Sequence, residues 1–170
     1  MNILKKFNKE KIKEGELVNY RHRKATRGVI FDKDNNIAIL EVSNGKYYEL
    51  PGGGLEENET VEECLIRECK EEIGCDIDII KYIGDTLEYR KKLKVLNKSH
   101  AYIGKVKGEK NKPLIIGNEN EYEKKYKILW INIDKAIKLI EKSIKQDNLY
   151  DQYTIERDLI LLNKAKELIN

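Results

Sequence analysis

Three carboxylates lie close together near the end of a predicted helix: Glu68, Glu71 and Glu72. Residues three and four positions apart are neighbours on a helix, and like charges at that spacing destabilise it by roughly 0.2–0.5 kcal/mol per pair. The helix macrodipole also disfavours anions at the C-terminal end. A divalent cation held by carboxylate oxygens is the simplest arrangement that relieves this repulsion. The cluster therefore predicts a metal site.

The helical phase of these carboxylates strengthens that interpretation. At about 100° per residue, the apolar residues of the helix form one stripe: Val61, Leu65, Cys69 and Ile73. Glu72 falls inside this stripe and Glu68 lies at its edge, while Glu71 points away by about a quarter turn. A solvated acidic face is the common explanation of an acidic triplet, but it does not account for carboxylates on the buried side. A sequence that departs at one place from the usual rules of helix charge and amphipathicity typically marks a functional site.

The cluster belongs to a longer pattern of fixed spacing. Its residues are Gly53, Glu59, Arg67, Glu68, Glu71, Glu72 and Gly74. This pattern resembles the Nudix box, Gly-x5-Glu-x7-Arg-Glu-U-x-Glu-Glu-x-Gly-U, in which U is a bulky aliphatic residue. Every fixed position is matched, and the two U positions hold Cys69 and Cys75. Because Cys behaves as a small hydrophobe when buried, this departure concerns packing and leaves the chemistry intact.

The resemblance implies a hydrolase that cleaves a nucleoside diphosphate linked to another moiety, with Mg²⁺ or Mn²⁺ as cofactor. It implies that Glu68 and Glu72 are metal ligands and that Glu71 is a further ligand or acts through water. The backbone carbonyl of Gly52 is an additional expected ligand, and Glu68 is also a candidate general base. Arg67 is expected to orient the carboxylates, and helix spacing allows it to pair with Glu71 and with Glu63.

In many members of the family, a glutamate from a later loop completes the site or serves as the base. Residues 117–123 are the corresponding loop here, and they contain three glutamates. We favour Glu121 as this catalytic carboxylate, followed by Glu119, and Glu123 remains an alternative. The register of the loop cannot be obtained from the sequence.

Three residues outside the box are candidate substrate-binding residues: Arg27, Tyr48 and Arg90. Arginine suits phosphate recognition, and for both arginines this role is balanced against a plain surface role. Tyr48 precedes the glycine loop and could stack on a base, although structural packing is favoured. Because the box does not contact the base or the leaving group, the choice among nucleoside triphosphates, ADP-ribose and similar compounds stays open.

The elements around the box position its helix. Thr60 and Glu63 form a capping box that starts the helix near Val61, and Gly74 ends it as a C-terminal cap. Alternating runs predict strands over 25–31, 37–42, 46–50, 77–83, 101–106 and 127–133, with a less regular one at 87–95. Further helices are predicted over 135–145, capped by Asp134, and over 150–169. These elements predict an α/β fold with a mixed sheet covered on both faces, and the resemblance implies a Nudix-type α/β/α sandwich.

The length and composition limit the number of domains and the classes of partner that this protein can have. A chain of 170 residues indicates one domain, with a loosely docked N-terminal extension over 1–20 and the Nudix domain over 21–170. The 33 basic and 30 acidic residues give a net charge of +3, which predicts no strong attraction to nucleic acid or to a membrane surface. Three cysteines and a start without a secretory h-region predict a cytoplasmic protein with packed, unpaired thiols.

The leading hypothesis is therefore a metal-dependent pyrophosphohydrolase acting on a small-molecule nucleotide. The alternative is a catalytically silent nucleotide-binding or regulatory module of the same fold, but such relatives typically lose box carboxylates that this chain keeps. Removal of a 5′ pyrophosphate from RNA would use the same box, and the near-neutral charge argues against it. The oligomeric state is open between a monomer and a homodimer, since many relatives form dimers.

Overall fold

The structure is a computed structural model that describes residues 2–42, 45–113, 126–143 and 148–169. A short 3-10 helix at Glu14–Asn19 follows the first strand. The strands are β1 (Ile3–Phe7), β2 (Arg21–Phe31), β3 (Ile37–Val42), β4 (Tyr47–Glu49), β5 (Asp76–Arg90), β6 (Val95–Lys107) and β7 (Tyr126–Ile131). The helices are α1 (Val61–Ile73), α2 (Ile133–Lys142) and α3 (Leu149–Ile169).

All seven strands join one mixed sheet. Its order is β1-β5-β6-β2-β3-β4, and β7 pairs with β3. The β1–β5 and β2–β6 pairs are parallel, whereas β5–β6, β2–β3, β3–β4 and β3–β7 are antiparallel. The expectation of a mixed central sheet is therefore confirmed.

Each face of the sheet carries its own hydrophobic core. Successive residues of a strand point to opposite faces, so Val29 and Phe31 of β2 enter one core while Ile30 enters the other. The core that contains Ile30 is completed by Leu65 and Cys69 of α1. The opposite core is closed by residues of α2 and α3. This arrangement is the expected α/β/α sandwich.

The irregular strand expected at 87–95 does not exist as a separate element. β5 runs on to Arg90, a turn follows, and β6 begins at Val95. Lys94 has a φ of +47°, as a tight turn requires. β5 carries buried polar residues such as Glu88, and these interrupted the apolar alternation on which the sequence-based prediction relied.

The expectation of a loosely docked start of the chain is wrong for β1. Residues Ile3–Phe7 pair in parallel with β5, and the Phe7 side chain is 3% exposed. Its ring lies 5.8 Å from that of Tyr153 in α3, centroid to centroid. The N-terminal segment therefore contributes an edge strand and core contacts, while the domain boundary at residue 20 stays a prediction.

The helix after β7 starts earlier than the sequence indicated, and Asp134 is not its cap. Asn132 is the N-cap, and its side-chain oxygen accepts the N–H of Asp134 at 2.9 Å. β7 accordingly ends at Ile131. Asp134 lies in the first turn of α2 and pairs with Lys166 at 2.6 Å.

The cysteines pack as expected: Cys64, Cys69 and Cys75 are free and buried. None of the helices in the described residues combines the length and the apolar character needed to cross a membrane.

We predict that Phe7→Ala lowers the free energy of unfolding by about 3 kcal/mol, because it leaves a cavity between β1 and α3. Urea unfolding would measure this change. The matched control is Lys6→Ala, an exposed residue of the same strand, which should change the free energy of unfolding by less than about 0.5 kcal/mol. Equal effects of the two variants would show that β1 is not part of the folded core.

Candidate active site

The box helix α1 has the ends that its sequence predicts. The Thr60 hydroxyl accepts the N–H of Glu63 at 3.2 Å, and the Glu63 carboxylate accepts the N–H of Thr60 at 2.9 Å. At the other end, Gly74 adopts a left-handed conformation with a φ of +67°. These caps set the phase of the helix, which directs Glu68 and Glu72 toward the glycine-rich loop at 51–54.

This loop is held against the edge of β2. Strands β2 and β3 pair only at Phe31 and Ile37, so the rest of this β2 edge is free for the loop. Thr26 donates its N–H to the Gly53 carbonyl at 2.8 Å, and Gly28 donates to the Pro51 carbonyl at 2.9 Å. The loop thereby pairs with β2 as a short strand would, and its glycines face the carboxylates of α1.

Two of the loop glycines are required by close contacts. Gly52 has a φ of +134°, and a Cβ there would lie 2.3 Å from the Thr26 carbonyl oxygen. A Cβ on Gly53 would lie 2.0 Å from Oε1 of Glu68. The Glu68 carboxylate therefore occupies the space that a side chain at position 53 would fill, and such a side chain would displace the carboxylate from its present position.

Glu72 is held by the same loop. Its Oε2 accepts the N–H of Gly52 at 2.8 Å. Burial raises the pKa of the Glu72 carboxyl to about 8, and the Gly52 hydrogen bond opposes this rise. The negative charge of Glu68 raises it further. Burial likewise raises the pKa of Glu68, against the effect of the Arg67 guanidinium.

Arg67 connects the carboxylates of the box. Its Nε donates to Oε1 of Glu59 at 2.8 Å, and its Nη1 donates to Glu68 at 3.1 Å and to Glu71 at 3.0 Å. Its Nη2 also reaches the Gly54 carbonyl at 3.2 Å. One guanidinium thus links the loop and three of the glutamates.

The expected pair of Arg67 with Glu63 is wrong. The Glu63 carboxylate is used as the helix cap, where it accepts the N–H and the hydroxyl of Thr60. Arg67 turns instead to Glu59, which is eight residues earlier and outside the helix. Spacing along a helix cannot reveal such a partner.

The donor set fits a magnesium-type cation that also uses water and substrate oxygens. Within the described residues, no group of three or more His, Cys, Asp or Glu side chains is arranged to hold a metal ion by itself. Glu68 and Glu72 face the loop, whereas the Glu71 side chain is 44% exposed and pairs with Arg67. Mg²⁺ in proteins is commonly bound by one or two carboxylates together with waters and substrate phosphates, so two inward carboxylates suffice.

Arginines lie on the face of the sheet opposite α1. Arg27 donates from Nη1 to the Thr26 carbonyl at 2.7 Å, and among the described residues its buried Nε–H has no acceptor. Arg23, four residues earlier on the same face of β2, donates to Asn97 at 2.8 Å. A Cβ on Gly54 would lie 2.5 Å from Nη2 of Arg23. No motif in the sequence marks Arg23.

The charges of these arginines influence one another. Burial lowers the pKa of Arg23, and the positive charges of Arg27 and Arg90 lower it further. Burial and the Arg157 charge lower the pKa of Arg27. Such a concentration of guanidinium groups favours an anionic ligand.

The other two candidate substrate residues, Arg90 and Tyr48, contact neighbouring side chains. Arg90 donates from Nε to Glu88 at 2.9 Å and lies over the Tyr150 ring at 5.4 Å. Tyr48 packs against the core between the sheet and helices α2 and α3. Their roles in binding substrate stay predictions. Glu119, Glu121 and Glu123 lie outside the described residues.

The family model of the NUDIX domain matches residues 21–153, most of the chain. The chain belongs to the NUDIX domain family. Members of this family typically depend on a divalent metal, which agrees with the two inward carboxylates of this Nudix domain.

Several curated proteins are similar to parts of this Nudix domain. An 8-oxo-dGTP diphosphatase of Proteus vulgaris is 52% identical over 54 residues, which is 29% of this chain and 48% of the relative. An ADP-ribose pyrophosphatase of Methanocaldococcus jannaschii is 40% identical over 76 residues, 41% of this chain and 45% of the relative. An RNA pyrophosphohydrolase of a Marinomonas species is 35% identical over 78 residues, 44% and 42% of the two chains. The chain therefore matches about half or less of the length of these relatives.

Solved structures share the fold. A NUDIX hydrolase from Nitrosomonas europaea superposes with a TM-score of 0.58 at 17% identity, covering 80% of this chain and 87% of that chain. At this identity the likeness concerns the fold alone, and it agrees with the sandwich described above.

The raised pKa of Glu72 predicts a pH-dependent stability. The folded state holds the Glu72 proton more tightly than the unfolded state, in which the carboxyl has its ordinary pKa of 4.5. The stabilising contribution of this group is therefore complete below pH 4.5 and is lost as the pH rises through about 8. We therefore compare the free energies of unfolding of Glu72→Gln and the parent protein in metal-free buffer with EDTA. The advantage of Glu72→Gln should grow by about 2 kcal/mol as the pH rises from 5 to 8.

Chemical denaturation of both proteins across this pH range would measure the difference. Titrating groups that do not interact with Glu72 are common to the two proteins and cancel in the comparison. A difference that does not change with pH would contradict a buried, protonatable Glu72.

Proposed function

We propose that this Nudix domain is a Mg²⁺- or Mn²⁺-dependent pyrophosphohydrolase that cleaves a nucleoside diphosphate linked to another moiety. The observation that carries the proposal is the pair of inward carboxylates, Glu68 and Glu72, directly beneath the glycine loop. Placing two like charges close together at partly buried positions costs stability, and a divalent cation would offset that cost.

Each residue of the box has a role in this proposal. Glu68, Glu72 and the Gly52 carbonyl would hold the cation, and the more exposed Glu71 would act through water. When bound, the cation would neutralise phosphate charge and lower the pKa of the attacking water. Arg67 would orient Glu68 and oppose its protonation, because its guanidinium donates directly to that carboxylate.

The general base has two candidates. Glu68 lies at the site, and its raised pKa brings it closer to neutral pH than an ordinary carboxyl. Glu121 is the other candidate, from the loop outside the described residues. A base must reach the attacking water while remaining unprotonated at the working pH.

The arginines of β2 would bind the phosphate groups of the substrate. Among the described residues, the buried Nε–H of Arg27 has no acceptor, and the charge of Arg27 lowers the pKa of Arg23 beside the loop. Guanidinium groups form paired hydrogen bonds with phosphate oxygens, which both bind and orient them. A phosphate bound there would lie next to the glycine loop, where the negative charge of Glu72 also acts on Arg27.

A nucleotide is the proposed substrate class, since the similar curated proteins are named for 8-oxo-dGTP, ADP-ribose and RNA. A panel of nucleoside triphosphates, ADP-ribose, nucleotide sugars, dinucleoside polyphosphates and 5′-triphosphorylated RNA would identify it. Phosphate release with and without added pyrophosphatase separates products that contain pyrophosphate from two monophosphates. Tight binding across the panel without any turnover would favour the silent module instead.

We predict that Glu72→Gln lowers Mg²⁺-dependent turnover at least about 100-fold, because it removes a charged metal ligand. The control is Glu63→Gln, which makes the same change of charge on the same helix but lies at the exposed cap. Its turnover should stay within about threefold of the parent. Undiminished activity of Glu72→Gln on a substrate found in the panel would refute this metal site.

We predict that Arg27→Gln raises KM for the nucleotide about tenfold or more and changes kcat less, because hydrogen bonds to charged groups contribute about 1.5–3 kcal/mol. The matched control is Arg21→Gln, an exposed arginine of the same strand. Steady-state kinetics would separate the two parameters. A fall in kcat at constant KM would contradict a role of Arg27 in substrate binding.

A further inference from the structure

A group of ionised side chains is buried beneath α3. Arg157 and Asp158 of this helix and Glu88 of β5 all have 0% exposure. Arg157 donates from Nε to Oδ1 of Asp158 at 2.7 Å and from Nη1 to Oε1 of Glu88 at 3.2 Å. Apolar residues of similar volume often stabilise a core as well as or better than buried ion pairs do. The presence of this network therefore calls for a reason beyond packing.

The second oxygen of Asp158 leaves the network and holds the backbone of the site. Oδ2 accepts the N–H of Leu50 at 2.8 Å. Leu50 is 1% exposed and directly follows β4. A buried N–H without an acceptor is costly, so this contact fixes where the chain leaves the strand.

Leu50 is also where the glycine loop begins. Pro51 has no N–H, and the next donor along the chain is Gly52, whose N–H is bound by Glu72. Two carboxylates from opposite layers of the sandwich therefore hold two backbone donors that are two residues apart. Asp158 belongs to α3 and Glu72 to α1. The position of one donor constrains the position of the other.

Arg157 constrains the Asp158 carboxylate. Its guanidinium pairs with Asp158 on one side and with Glu88 on the other, so one oxygen of Asp158 is held by Arg157 while the other accepts the N–H of Leu50. At the same time, Nη2 of Arg157 is buried and, among the described residues, has no acceptor. A network selected for stability alone would satisfy that donor.

We propose that Asp158 is a positioning residue that, oriented by Arg157, places the Leu50–Gly52 segment for metal binding by Glu72 and the Gly52 carbonyl. The proposal rests on the metal site described above and adds a contribution from the opposite layer of the fold. It assigns α3 a role that the box motif does not contain.

The test compares Asp158→Ala with Leu162→Ala in the full chain. Leu162 is a fully buried residue of the same helix, one turn later, in the core between α3 and the sheet. Both truncations destabilise the protein, but only Asp158→Ala removes the acceptor of Leu50. Binding of Mn²⁺ alone, followed by electron paramagnetic resonance well below each unfolding midpoint, should weaken at least about tenfold in Asp158→Ala and less than about threefold in Leu162→Ala. Equal Mn²⁺ affinities of the two variants would overturn the proposal.

Amide hydrogen exchange gives a readout that needs no metal. The exchange rates of the Leu50 and Gly52 amides are divided by that of Ile39, a fully buried residue of the central strand β3. This ratio should rise at least about tenfold in Asp158→Ala and stay unchanged in Leu162→Ala. An unchanged ratio in Asp158→Ala would show that Asp158 does not hold the loop.

If Asp158→Ala does not fold, the double variant Arg157→Met/Asp158→Leu replaces the ion pair with apolar groups of similar size and repeats both measurements. It should fold and still show weak Mn²⁺ binding and a raised exchange ratio, and normal values for both would refute the proposal. Absence of Mn²⁺ binding by the parent protein would refute the metal site itself, and the exchange ratio would still decide the role of Asp158.

Discussion

The hydrogen bond from the Gly52 N–H to the Glu72 carboxylate is the contact on which the arrangement of the site depends. It joins α1 to the loop and places a buried carboxylate against a backbone that admits no side chain. Burying an ionised carboxylate is expensive, which is why the pKa of Glu72 rises to about 8. The fold tolerates this cost because the loop is separately fixed by hydrogen bonds to β2. A cation at this position would convert an electrostatic cost into binding free energy.

Arg67 partly neutralises the other carboxylates of the box. By donating to Glu59, Glu68 and Glu71, a single cation lowers the repulsion that three neighbouring glutamates would otherwise create. It leaves Glu72 without a direct positive partner in the box. The site is therefore asymmetric, because the pKa of Glu72 rises to about 8 while Glu59, Glu68 and Glu71 share one guanidinium.

The two layers of the sandwich contribute different chemistry. The α1 layer supplies the carboxylates, whereas Arg27 and Arg23 lie on the opposite face of the sheet and α3 supplies the buried pair Arg157–Asp158. The glycine loop fits between β2 and β3, which pair at a single position. There the segment from Leu50 to Gly52 contacts Glu72 of α1 and Asp158 of α3. Nudix hydrolases share the fold at low sequence identity.

The sequence by itself determined the box helix, its caps and the inward phase of Glu68 and Glu72, because these are local properties with a period of 3.6 residues. It also predicted the mixed sheet, since strands and helices alternate along the chain. Only the tertiary structure decided that Arg67 pairs with Glu59 and not with Glu63, that β1 joins the sheet, and that Asp158 holds Leu50 across 108 residues. Such contacts depend on which elements pack together, and no periodicity within one element encodes them.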